Sequence, residues 1–150
     1  MSRPLDAVVP PALVDLLSAE PSAEGTAILV LTAREDGFPH QAMVSVGELA
    51  VLDDRRLALA LWRSSTTAAN LKRTNALTLA VVIGATSYSI RATAEQRDDV
   101  EGLARFDLTV VAVDADEAPY ATLVSGVRFR LNDPDDVLAR WRAVRKELER

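Results

Sequence analysis

The sequence predicts a mainly β (α+β) domain in which six or seven antiparallel strands, joined as consecutive hairpins, curl into a closed or nearly closed barrel with short flanking helices. Short apolar runs rich in β-formers recur along the chain, and turn signals such as Asp36-Gly37 separate them. The strand–helix alternation that builds a doubly wound parallel sheet is missing. With 150 residues, 49% hydrophobic and 26% charged, the chain has the size and composition of one domain over residues 1–150.

Pro10 and Pro11 open a short helix over about 11–20, with Leu13, Leu16 and Leu17 on one face. Residues 26–32 form a strand that turns at Asp36-Gly37 into its partner over 38–46. Residues 49–52 and 57–62 form a second hairpin around the polar turn 53–56. The cluster Ser64, Ser65, Thr66 and Thr67 offers several N-caps for a short helix running to Arg73. Residues 76–83 form a buried strand and 84–86 a turn. Over 87–96, Tyr88, Ile90, Ala92 and Ala94 alternate with polar residues, the period of a half-buried strand. Residues 98–106 read as a short helix or loop, 108–113 as a strand, 114–117 as a solvated loop and 121–131 as a last strand. Asn132, Asp133 and Pro134 then cap a helix to about 149, whose stripe of Val137, Leu138, Trp141, Val144 and Leu148 seeks a packing partner.

Composition narrows the chemistry. There is no cysteine, which excludes disulfides, thiolate metal sites and thiol nucleophiles, and a single histidine, His40, which makes metal sites and a Ser-His-Asp triad hard to assemble. A net charge of -5 has the wrong sign for nucleic acid or an anionic membrane. The first residues lack a basic segment followed by an apolar one, and no window approaches the ~20 apolar residues of a bilayer span, so the expectation is a cytoplasmic protein.

Three segments depart from ordinary core: residues 37–45, 62–71 and 124–129. The second is the most informative. Amides at a helix start are unsatisfied within the helix and favour an anion, so hydroxyls from Ser64, Ser65, Thr66 and Thr67 with Arg63 beside them make a phosphate cradle. Simple helix capping is the competing reading of the same residues. His40 follows Pro39 at a strand start and reads as a rim residue rather than a catalytic one. Trp141 reads as core or interface, and Trp62 as a neighbour of the cradle. Arg128 and Arg130 alternate with Val127 and Phe129 as an outward charged face, from which one arginine is available to an anionic substrate.

The order of these segments over residues 25–83 resembles the pyridoxamine 5'-phosphate oxidase-like family of FMN-binding split barrels: a strand into Asp36-Gly37, the return through Ala42, Met43, Val44 and Ser45, a short hairpin, an apolar strand, then the Ser/Thr turn into a helix. Residues 124–129 and the terminal helix match more loosely. The resemblance implies a split β-barrel that binds FMN at a homodimer interface and acts as an oxidoreductase or flavin reductase, with a nicotinamide or other small molecule as substrate. It implies that the backbone of Ala42, Met43, Val44 and Ser45 borders the flavin ring. Leu61, Trp62, Arg63, Ser65, Thr66 and Thr67, with Asn70 one helical turn on, would hold the ribityl phosphate. Leu57, Leu59, Leu61, Leu77, Leu79 and Val81 would line the barrel while the opposite strand faces meet a partner. One departure stands out: many members carry Arg-Lys where this chain has Thr66-Thr67, which leaves Arg63, Lys72, Arg73 or Arg91 as candidate replacements. The chain has no counterpart of the long basic C-terminal region of true pyridoxamine phosphate oxidases. The alternatives are a member using a deazaflavin or handling haem, and a non-catalytic module that binds a flavin or only dimerises.

Overall fold

A computed structural model describes residues 1–150. Its strands are β1 (Ser2–Leu5), β2 (Glu24–Thr26), β3 (Ile28–Ala33), β4 (Pro39–Val44), β5 (Leu49–Val51), β6 (Arg56–Leu61), β7 (Ala76–Ile83), β8 (Thr86–Val100), β9 (Leu103–Asp116) and β10 (Arg128–Arg130). Its helices are α1 (Pro11–Ser18), α2 (Thr66–Thr74) and α3 (Pro134–Leu148). The main sheet runs β4-β3-β7-β8-β9-β6-β5, with β1 also paired to β9, and every pairing is antiparallel. The two edges, β4 and β5, are joined by the turn 45–48 and not by a ladder, so the sheet curls into a split barrel.

Alternation explains the curl. Leu57, Leu59 and Leu61 on β6, and Leu77, Leu79 and Val81 on β7, all point into one core cluster of 23 buried residues, as the sequence predicts. Ile90, Ala92 and Ala94 join them from β8. On β9 the inward set runs Ala104, Phe106, Leu108, Val110 and then shifts phase to Val113. The shift is a bulge: Arg91 pairs with Ala112 and Ala92 with Val110, which leaves Val111 unpaired and half-exposed. One extra residue bends the long strand while keeping its apolar side chains inside.

The outer face of the barrel is divided. Over β5 and β6, Ala50, Ala58 and Ala60 are covered by Val144 and Leu148 of α3 in the same chain. The expectation that the outer face of β6 meets a partner therefore fails, because a stripe of alanines lets the terminal helix sit directly on the strand. Over β3 and β7 no helix covers Leu29, Leu31, Thr78 and Ala80, which remain half-buried, with exposed Met43 beside them on β4, while Val82 packs against Gly126 of the same chain.

Two segments differ from expectation. Residues 98–106 are neither helix nor loop: β8 and β9 extend into one long hairpin closed at Glu101 and Gly102, both with positive φ (47° and 77°). Such a pair of left-handed residues matches the right-handed twist of the strands it joins. Residues 114–116 are strand and not loop because they pair with β1 on one side and β8 on the other. Only Arg128–Arg130 of the expected strand 121–131 pairs, with β2; residues 121–125 and 127 are exposed, and Gly126 is half-buried against Val82.

Candidate functional site

Two depressions flank strand β4, one near each end. The first is a polar groove of about 520 Å³ between the β3–β4 turn and the start of α2, lined by Arg34, Glu35, Asp36, Ser64, Ser65, Thr66, Ala69 and Asn70. Ser65 is the N-cap of α2, and its Oγ accepts from the Ala68 amide at 3.0 Å. The Thr66 and Thr67 amides precede the first turn's acceptors and make no hydrogen bond within the chain. The groove therefore combines the unspent Thr66 N–H, three hydroxyls and the Arg34 guanidinium, a donor set suited to a phosphoryl group. Glu35 and Asp36 place two carboxylates in the same groove.

The predicted residues are distributed unevenly. Ser65, Thr66 and Asn70 meet in the groove. Thr67 is buried at 1% exposure and does not line the groove. Asn70 is already engaged: its amide donates to Thr32 Oγ1 at 3.1 Å and its Oδ1 accepts from Arg73 at 3.3 Å, which ties α2 to β3. Leu61 sends its side chain into the core. Trp62 and Arg63 lie outside the groove; Arg63 pairs with Asp99 at 3.2 Å, and Arg140 stacks on the Trp62 ring at 5.5 Å. None of the proposed replacement cations lines the groove. Arg73 is held by the Ala33 carbonyl and Arg91 pairs with Asp114 at 3.7 Å. The groove's cation is Arg34, which also contacts His40 Nδ1 at 3.2 Å and leaves His40 on the rim. The β3–β4 turn, read in the sequence only as a turn, is the signal that pointed to it.

Ala42, Met43, Val44 and Ser45 border the second depression. Strand β4 is an edge of the main sheet, so alternate N–H and C=O groups along one side have no ladder partner. At its Ser45 end opens a cleft of about 240 Å³ walled by Met43, Val44, Phe129 and Trp141, with Glu48 in its lining. Trp141 packs on the bare backbone of Gly47 and meets Phe129 edge-on at 5.7 Å between ring centroids. Glu48 Oε1 accepts from both the amide and the Oγ of Ser45 at 3.1 Å. Burial pushes the Glu48 carboxyl above the usual range, and the Ser45 bonds and the charge of Arg140 only partly offset this. No helix of the chain is long and apolar enough to cross a membrane.

Comparison with known proteins agrees with this architecture. A family model described as pyridoxamine 5'-phosphate oxidase matches residues 13–112. The uncharacterized protein YclD of Bacillus subtilis (strain 168) is 34% identical over 128 residues, covering 83% of each chain. Among solved structures, a candidate pyridoxamine 5'-phosphate oxidase of Lactobacillus delbrueckii superposes with a TM-score of 0.59 at 19% identity, over 73% of this chain and 97% of that one. The styrene monooxygenase flavin reductase of Pseudomonas putida S12 does so with 0.53 at 13%, over 71% and 86%. The split barrel, its open β4 edge and the family match over two thirds of its length together make this chain a member of the pyridoxamine 5'-phosphate oxidase family.

Proposed function

We propose that the chain is an FMN-binding oxidoreductase that acts as a homodimer with the cofactor at the subunit interface. The observation that carries this reading is the polar groove, where the unpartnered Thr66 amide, the Ser64 and Thr66 hydroxyls and Arg34 line one space with room for a phosphoryl group. They fit the phosphate of FMN without the Arg-Lys pair. The open edge of β4 fits the pyrimidine edge of the ring, which needs alternating donors and acceptors. When bound, the flavin supplies the hydride chemistry; this chain's residues bind it, orient it and keep water from it. A small chain with one histidine and no cysteine suits that division of labour. The similarity to a flavin reductase supports the reading. So does the uncovered face of β3 and β7, whose half-buried apolar residues suit a second copy.

The test is a visible spectrum of the purified protein together with its melting temperature under excess FMN. A flavin spectrum and a rise in Tm are expected, since a ligand of the folded state stabilises it by mass action. A haem or deazaflavin spectrum, or a colourless protein whose Tm ignores FMN, overturns the reading.

A further inference from the structure

The cleft at the Ser45 end of β4 has a feature that the proposed flavin site does not use. Glu48 spends only one carboxylate oxygen on the protein: Oε1 takes both bonds from Ser45, and Oε2 takes none. No enclosed side-chain polar atom in the chain lacks a partner, so Oε2 reaches open space, and Glu48 lines both this cleft and a smaller hollow that it shares with Trp62, Trp141 and Arg140. The carboxyl cannot swing away easily, because its turn is fixed at every residue. Ser45 Oγ accepts from the Gly47 amide at 3.0 Å, Arg145 bonds the Val46 carbonyl at 2.6 Å, and Trp141 lies on Gly47. Arg128 lines the same cleft and takes part in no ion pair, whereas its neighbour Arg130 pairs with Glu24 at 3.3 Å. The remaining walls include the apolar and aromatic side chains of Met43, Val44, Phe129 and Trp141.

We propose that this cleft binds a second ligand beside the cofactor: a planar one- or two-ring aromatic molecule with an N–H donor for Glu48 Oε2 and an anionic group for Arg128. A cavity of about 150 Å³ holds a single benzene ring, so 240 Å³ suits two fused rings. The oxidised three-ring flavin carries no anionic group on its ring, and its phosphate is assigned to the groove near the other end of β4. The inference rests on the flavin reading only for what lies at the cleft mouth, and binding is tested on the protein without cofactor.

Three probes separate the two recognition elements. Indole-3-acetate carries both the N–H and the carboxylate, 1-naphthaleneacetate lacks the N–H, and indole lacks the carboxylate. Isothermal titration calorimetry is expected to show indole-3-acetate binding at least about tenfold tighter than either, an increment of about 1.4 kcal/mol per lost contact. Glu48→Gln, which keeps an acceptor for Ser45, is expected to abolish the preference over 1-naphthaleneacetate alone. Arg128→Gln is expected to abolish the preference over indole alone, and as an exposed site it serves even where the first variant fails to fold. Equal affinity for the three probes in the unmutated protein overturns the proposal, as does survival of both preferences in the variants. Repeating the titration under saturating FMN separates it from the flavin reading: unchanged probe binding is expected, and displacement assigns the cleft to the cofactor.

Discussion

Glu48 shows how one residue links packing to solution behaviour. Burial raises its carboxyl above the ordinary range, so the native state holds the proton more tightly than the unfolded chain. Its contribution to stability is full below the ordinary carboxyl range and is lost as pH rises through the raised native value. Glu48→Gln removes that loss. The variant is therefore expected to melt above the unmutated protein near neutral pH, with the gap closing as the pH is lowered through the raised native value and the ordinary carboxyl range. A gap that stays constant across a series of Tm measurements speaks against a titrating Glu48. Asn70 is the second decisive residue. Both ends of its amide are spent inside the chain at 5% exposure, so Asn70→Ala leaves Thr32 Oγ1 and Arg73 short of a partner. A loss of about 1–3 kcal/mol in urea unfolding is expected.

At the scale of elements, α3 is held by contacts that local propensity does not reveal. Trp141 rests on Gly47, where an added Cβ would lie 2.3 Å from the ring's Cγ. Arg145 reaches the carbonyls of Leu17 and Ala19 at the end of α1, as well as Val46, and so ties both helices to the turn that joins the sheet edges. Gly47→Ala is expected to cost at least the ~1–3 kcal/mol of overpacking, read by denaturant unfolding. Much of this level was legible in the sequence. The strand 76–83, the Asp36-Gly37 turn and the Ser65 cap follow from alternation, turn chemistry and capping, and the structure has them at those places. The long β8–β9 hairpin was not legible, because Glu95, Gln96, Arg97, Asp98 and Asp99 are exposed on both faces and carry no period of two. Gly102 was its one readable signal. The exposed segment 121–127 misled in the opposite sense, since apolar Leu123, Val124 and Val127 resemble a strand yet find no ladder.

The site was legible only in part for a related reason. Cradle hydroxyls announce themselves by spacing, whereas Arg34, Glu48 and Arg128 reach their depressions through the fold. The whole molecule leaves one half of its barrel exterior uncovered, and a second copy is the occupant expected there. Sedimentation should give twice the 16.2 kDa chain mass. Ala80→Glu, at the middle of the uncovered face on β7, is expected to shift the protein to monomer without unfolding it, because the new carboxylate is tolerated in water and not in an interface. A dimer indifferent to that change lies on another face. The central claim, that the groove at the start of α2 holds a flavin phosphate, is tested most directly by titrating FMN and riboflavin side by side, following quenching of flavin fluorescence. FMN is expected to bind at least about tenfold more tightly, with the advantage reduced by Thr66→Ala and enlarged by Glu35→Gln. Equal affinity for the two flavins, or binding of neither, would contradict it.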